Sequence, residues 1–211
     1  MKAFIFDLDG TLTDSMYVWV NADRKFLGKF GIEPDDEYNR TITSLTFTEG
    51  VNYIKTRYNI DMTQEEIMNE LYNLAYDEYE KNVNLKKGVI EFLDRVKKQR
   101  IKLGIATSSI KDMCYAVLKR HDILKYFDTI VFSDDVGVNK TFPDIYIETA
   151  KRLGEDIKNC VVFEDVPHAA MGAKKSGAFV VGVYDEFSDD KKEEMEKICD
   201  KYINSFDEFV F

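Results

Sequence analysis

A chain of 211 residues can bury its core as one large domain or as one domain carrying an insert. Its composition, 45% hydrophobic with 13% aromatic, is that of a globular protein rather than a disordered one. With 39 acidic against 29 basic residues and a formal charge of -10, it lacks the basic face of a nucleic-acid binder. The balance suits a protein that meets anionic ligands at one local positive site.

The first apolar run, Ala3–Leu8, reads as a strand. It lies too close to an acid, and is too short, to be a signal peptide, and no later stretch approaches membrane-spanning length. Three separated cysteines, Cys114, Cys160 and Cys199, form no metal-binding spacing and read as reduced thiols. No membrane association and a cytoplasmic location are the expectation.

About seventy residues, 15–84, then intervene before the alternating pattern that starts at residue 85, more than one crossover helix needs. They read as helical over Met16–Phe30, Phe47–Tyr58 and Thr63–Lys81, with Thr63 and Glu66 spaced as a capping box. Such an insert should form a small cap over the end of a sheet, with hinges near Asp14–Met16 and Asn82–Lys87. The expected organisation is a core domain of residues 1–14 and 85–211 and a helical cap domain of residues 15–84.

From residue 85 onward strands alternate with helices. Lys102–Ala106, Thr129–Ser133, Cys160–Phe163 and Phe179–Tyr184 are β-rich, several of them continuously apolar, as strands covered on both faces are. Val89, Phe92, Leu93 and Val96 fall on one helical face, as do Met113, Val117 and Leu118, and then Ile145, Thr149, Ala150 and Leu153. This predicts an α/β fold with a doubly wound parallel sheet, to which Tyr202–Ile203 adds a short last strand.

Four clusters at predicted strand ends carry chemistry. Asp7-Leu8-Asp9-Gly10-Thr11 places two acids and a Gly-Thr turn after the first strand. Thr107-Ser108-Ser109 follows the second; taken alone, these hydroxyls serve equally well as an ordinary helix N-cap. Lys140 precedes a helix with Pro143 near its start, and Glu164-Asp165 ends Val161-Val162-Phe163. Each has an ordinary reading as a solvated loop or strand end, but ligands of open α/β sheets bind at the carboxyl ends of strands, and one shared site accounts for all four. Phosphoryl transfer needs a nucleophile, charge neutralisation and a proton donor. Clustered acids need a cation among them, and hard oxygen ligands without His or Cys select Mg²⁺. Lys140 and Thr107 can hold the remaining phosphate oxygens.

In this order, Asp7-x-Asp9-Gly10-Thr11, Thr107, Lys140 and Glu164-Asp165 resemble the haloacid dehalogenase (HAD) superfamily of hydrolases. The position of the insert resembles its small-cap subgroup of β-phosphoglucomutases and sugar-phosphate phosphatases. The resemblance implies a Rossmann-like HAD core with a small inserted helical cap, acting on a small phosphorylated metabolite. It implies that Asp7 is the nucleophile and that Asp9 protonates the leaving alcohol and then activates water. It implies Mg²⁺ held by Asp7, the backbone carbonyl of Asp9 and Asp165, with Glu164 a ligand or just outside. Thr107, Ser108 and Ser109 would bind phosphate, and Lys140 would offset the charge of Asp7 and of the transferring group. An acid at position 9 indicates phosphate-ester chemistry rather than dehalogenation or phosphonate cleavage.

Within that subgroup, β-phosphoglucomutases carry a histidine on the first cap helix where this chain has Trp19, and a lysine where it has Ile110. Hydrolysis is therefore expected over sugar phosphomutase activity. Tyr17, Trp19 and the Thr43–Phe47 loop are candidates for touching the leaving group, with Phe47 expected to pack between cap helices instead. His121 and His168 are expected at the surface or in packing. A signalling receiver domain would carry its phosphoacceptor on a later strand and no helical insert, and a non-catalytic phosphate-binding protein on this fold would have lost one or more of the acids.

Overall fold

Strand β1 (Ala3–Phe6) is buried at every position, which only a strand covered on both faces permits. It lies at the centre of a computed structural model that describes the chain from Met1 to Phe211 except Thr43, Ser44 and Thr46. The described residues form two compact units, one of residues 1–16 and 83–211 and one of residues 17–82.

In the first unit, β1 is followed after the insert by β4 (Lys102–Thr107), β5 (Thr129–Phe132), β6 (Cys160–Glu164), β7 (Phe179–Val183) and β8 (Lys201–Ile203). Among the described residues these pair in parallel, in the order β5-β4-β1-β6-β7-β8. Helices α5 (Val89–Lys98), α6 (Lys111–Arg120), α7 (Ser133–Val136), α8 (Asp144–Arg152), α9 (Pro167–Ser176) and α10 (Lys192–Ile198) complete a Rossmann-like sheet with helices on both sides. The apolar stripes read from the sequence are the buried ones, Val89, Phe92, Leu93 and Val96 on α5 among them. On one face, Phe6 stacks on Phe163 at 4.7 Å between ring centres, and Phe92, Phe206 and Phe209 surround the pair.

Two short strands were not expected. β2 (Thr13–Asp14) pairs antiparallel with β3 (Asn84–Leu85), so the outgoing and returning connections to the insert are bonded to each other within the first unit. Two-residue strands have no sequence period to read.

The second unit is helical: α1 (Tyr17–Gly28), α2 (Asp36–Ile42), α3 (Phe47–Tyr58) and α4 (Gln64–Lys81). The capping box of α4 is present, with the Glu66 amide donating to Thr63 Oγ1 at 3.2 Å and the Thr63 amide donating to Glu66 Oε2 at 2.7 Å. α2 was not anticipated, because its seven residues carry one buried anchor, Tyr38, and no apolar stripe. Its first turn is held by Asp35, whose carboxylate accepts from the Tyr38 amide at 2.7 Å. The Tyr38 hydroxyl donates at 2.7 Å to Asp23 on α1. Asp23 is 8% exposed, and burial pushes its carboxyl up to about 6.

That shift has a sign. The folded unit holds the Asp23 proton more tightly than the unfolded chain does, so the stabilisation is complete below an ordinary carboxyl pKa of 3.8 and disappears as pH rises through about 6. The loss should be about 3 kcal/mol. Trp19 on α1 is the sole tryptophan and reports this unit. Urea unfolding followed by its fluorescence should show stability falling between these pH values. Asp23→Asn should flatten that dependence; an unchanged pH slope in this variant would remove Asp23 as its source.

Candidate functional site

Sheet register brings the predicted clusters together. Phe6 lies opposite Ile105 on β4 and Phe163 on β6, so Asp7, Thr107 and Glu164 leave three adjacent strands at their carboxyl ends. The Asp7 amide still donates to Phe163 O at 3.0 Å, but the chain then leaves the sheet, earlier than the expected end at Leu8. Leu8 O is taken instead by a tight turn, accepting from the amides of Leu12 and Thr13, both at 2.9 Å, while the Gly10 amide donates to Thr13 O. Gly10 has φ +84°, and a Cβ there would lie 2.3 Å from Asp165 Oδ2. Glycine is required both by the left-handed backbone and by the approach of this carboxylate.

Lys140, in the loop before α8, is 6% exposed and sits between two acids. Its ammonium donates to Asp7 Oδ1 at 2.6 Å and is 2.5 Å from Glu164 Oε1. Glu164 Oε1 also accepts from the Tyr146 hydroxyl at 2.7 Å, and Asp165 Oδ1 accepts from the Thr11 hydroxyl at 3.1 Å. The other oxygens, Glu164 Oε2 and Asp165 Oδ2, are buried with no hydrogen-bond partner among the described residues. Burial raises the carboxyl of Asp7 to about 6, with Lys140 pulling it back and Glu164 adding to the rise. Burial, then Asp7 and Glu164, push Asp165 up as well. Lys140 stays protonated, because the two carboxylates more than reverse the effect of its own burial.

One carboxylate oxygen each from Asp7, Glu164 and Asp165 lie within 4.8 Å of one another. Three acids share one lysine, two of their oxygens are unpartnered, and the donors are all hard oxygens. A divalent cation fits this cluster.

The Asp9 side chain lies outside the cluster. Its Oδ1 accepts from the Ser15 hydroxyl at 2.7 Å, and Ser15 is 3.0 Å from the Thr13 hydroxyl, which donates to Leu8 O. Thr107 is fully buried, and its hydroxyl accepts from the Ser109 amide at 2.9 Å. Ser108 and Ser133 hydroxyls are 2.7 Å apart. None of these hydroxyls caps α6, whose cap position is Ile110 without a side-chain bond, so the N-cap reading is replaced by a turn at the strand end. In the second unit, Trp19 is half-buried and its ring lies 5.2 Å from that of Phe47, which packs as expected. Of the Thr43–Phe47 loop, Thr43, Ser44 and Thr46 lie outside the described residues. His121 Nε2 donates to Val83 O at 2.9 Å.

The sequence model of the haloacid dehalogenase-like hydrolases matches residues 4–183. The chain belongs to this family. It is 31% identical to the phosphorylated carbohydrates phosphatase of Thermotoga maritima over 90% of this chain and 89% of that protein. The crystal structure of a provisionally named β-phosphoglucomutase from Thermotoga maritima superposes with a TM-score of 0.85 at 30% identity, covering 96% of this chain and 94% of the other. A β-phosphoglucomutase from Clostridium difficile gives a TM-score of 0.78 at 27% identity, covering 100% and 94%. Haloacid dehalogenase-like hydrolases typically use a metal ion, and this chain has a cluster of acidic residues, Asp7, Glu164 and Asp165. Among the described residues, no helix is long and apolar enough to cross a membrane.

The sequence shows Thr11 only as part of the turn motif and gives no role to Tyr146 or Ser15. Tyr146 adjoins the apolar face of α8, and a threonine and a serine near a turn read as turn formers. The signal available was the hydroxyl count: Thr11, Thr13 and Ser15 alternate after two acids, and all three are buried.

Lys140 can be tested as the counter-charge without any substrate. Lys140→Met should destabilise the metal-free protein by about 3–5 kcal/mol, because it leaves buried acids uncompensated. Urea unfolding in the presence of a chelator measures this. A change within error would show that these carboxyls are neutral in the folded protein.

Proposed function

We propose that the protein is a Mg²⁺-dependent phosphomonoesterase that forms a covalent aspartyl-phosphate on Asp7. The observation that carries this reading is the Lys140 ammonium bonded to Asp7 beside two unpartnered carboxylate oxygens, at the carboxyl end of the central strand. The first unit is read as the catalytic core and the second as the cap that selects the leaving group.

A carboxylate is a competent nucleophile toward phosphorus when it is ionised and aimed. Lys140 keeps Asp7 ionised despite burial. An Asp7 oxygen forms the bond to phosphorus, the phosphorus–oxygen bond to the leaving group breaks, and Asp9 gives its proton to the departing alkoxide. Asp9 then takes a proton from water, the hydroxide attacks phosphorus, and the bond to Asp7 breaks to release inorganic phosphate. Thr107 and Ser108 bind phosphate oxygens from the neighbouring strand end, and Lys140 offsets their charge. Mg²⁺ would be held by Asp7, Asp165, the free oxygen of Glu164 and the backbone carbonyl of Asp9, and would neutralise charge on the transferring group. The substrate class favoured is a small phosphorylated carbohydrate, the substrate that the Thermotoga relative's name gives for that protein. Trp19 and Ile110, in place of the histidine and lysine of the mutases, favour hydrolysis over phosphate migration.

Purified protein should release phosphate from p-nitrophenyl phosphate and from sugar phosphates with Mg²⁺, and lose that activity with EDTA. Asp7→Asn should be inactive. No release from any phosphomonoester across a pH series would overturn the assignment, and wild-type turnover by Asp7→Asn would overturn the choice of nucleophile.

The half-buried Trp19 is proposed as a leaving-group contact. Trp19→Ala should change KM or the ranking of sugar phosphates by about tenfold while leaving p-nitrophenyl phosphate less affected. An unchanged substrate profile removes it from the site.

A further inference from the structure

The returning connection from the second unit carries a residue with three attachments. The Lys86 amide donates to Leu12 O at 2.9 Å, in the turn that follows Asp7 and Asp9. Its ammonium pairs with Asp185 and reaches Tyr184 O at 3.4 Å, both just past the carboxyl end of β7. The Asp185 side chain has no exposure and that of Lys86 only 16%. Asp185 also accepts from the Phe187 amide at 2.8 Å, and its charge is among those acting on Asp165. A buried ion pair is a poor way to gain stability, since an apolar pair of similar size often does as well or better. Its value here lies in what it connects.

Leu12 is part of the turn whose carbonyls and hydroxyls lead to Asp9. Thr13 bonds Leu8 O and meets Ser15, and Ser15 donates to Asp9 Oδ1. On its other side, Lys86 is continuous with β3, which pairs Leu85 with Thr13. Movement of Lys86 therefore moves both partners of the segment that aims Asp9. Leu8 and Leu12 anchor the turn in the core, but β2 and β3 have two residues each, and strands so short cannot hold a register unaided.

We propose that Lys86, anchored by buried Asp185, is a positioning residue for Asp9: it clamps the 8–15 turn to the end of β7 so that the Asp9 carboxyl is aimed at the leaving group. This rests on the phosphomonoesterase reading. It places one determinant of the acid step at a lysine bonded to the turn and to Asp185.

The full-length protein with Mg²⁺ tests it through two esters that differ in their need for a proton. An alkyl phosphate such as glycerol phosphate expels a basic alkoxide; p-nitrophenyl phosphate expels a phenolate that needs little help. Lys86→Met should lower kcat/KM for the alkyl ester by about tenfold to a hundredfold, with a much smaller change for the aryl ester. Lys86→Arg, which keeps the charge, should restore part of the loss. Equal losses on both esters, or no loss on either, would overturn the proposal. Amide hydrogen exchange at Gly10, Leu12 and Thr13, resolved by NMR, gives a readout independent of turnover. These amides should exchange faster in Lys86→Met, and unchanged exchange also overturns the clamp. If the wild-type protein cleaves neither ester, the phosphomonoesterase reading fails on its own and the exchange rates alone decide the clamp. Should Lys86→Met not fold with Asp185 left buried and unpaired, the double variant Lys86→Met/Asp185→Asn removes both charges and is scored the same way.

Discussion

One ammonium shared by two buried carboxylates is the constraint around which the first unit is arranged. Lys140 touches Asp7 from the end of β1 and Glu164 from the end of β6, so three chain segments distant in sequence must converge within hydrogen-bond distance. The convergence is enforced from behind. A Cβ on Gly172 of α9 would fall 1.9 Å from Lys140 O, so the loop backbone lies directly against the helix that follows Glu164 and Asp165. Tyr146, on the helix that follows Lys140, donates to Glu164 and also reaches Ala169 O at 3.1 Å. The lysine loop and the acid-bearing strand are thus tied by backbone contact, by a hydroxyl and by charge. Stability alone would favour an apolar cluster in this place. A site short of positive charge is a site built to accept more of it.

Strand order explains why this happens at one point of the sheet. β1 is central, the chain adds β4 and β5 on one side of it, and β6, β7 and β8 on the other. The chain builds outward from β1 in opposite directions, and this reversal of strand order is the switch point at which open α/β sheets bind ligands. Asp7 is the first residue past β1, Thr107 the last of β4 and Glu164 the last of β6. Three strand ends in register supply a carboxylate, a hydroxyl and a second acid without any long loop having to be ordered.

The sheet and the four clusters were legible because strands buried on both faces are continuous apolar runs, and a polar residue ending such a run is conspicuous. Asp7, Thr107 and Glu164 are all of that kind. Lys140 was legible only through the order of motifs, since a loop lysine by itself looks solvated, yet this one is buried. What could not be read was anything without a repeating apolar pattern of its own. α2 has one buried anchor, Tyr38, and β2 and β3 have two residues each. Lys86 belongs to this class as well: in Lys86-Lys87-Gly88 nothing separates a lysine reaching into the fold from one facing water. Its partner Asp185 follows an apolar strand, as Asp7 does, and was the sign available. The Thr107 cluster was read correctly for position but left open for role. The structure excludes the N-cap alternative, because α6 starts three residues beyond Ser108.

The two acids of Asp7-Leu8-Asp9 are separated by environment rather than by type, and the division follows from counting protons. Asp7 is bonded to an ammonium, which has hydrogens to give and no lone pair to receive one. That contact favours the carboxylate, as the attack on phosphorus proposed for Asp7 requires. Asp9 is bonded to a hydroxyl that can do either. The chain from Asp9 through Ser15 and Thr13 to Leu8 O has three links. With Asp9 protonated, its acid hydrogen can serve Ser15, the Ser15 hydrogen Thr13, and the Thr13 hydrogen Leu8 O, so every link has its own proton. With Asp9 ionised, two hydroxyl protons serve three links, Ser15 turns to donate to the carboxylate, and one contact is left without a hydrogen. The hydroxyl chain can therefore keep its bond to Asp9 in both states, as the acid-then-base role proposed for Asp9 requires. An apolar residue at position 15 would leave the Asp9 carboxyl without this contact, and a lysine there would hold it in the ionised state. The small hydroxyl is the choice that leaves the proton free to move.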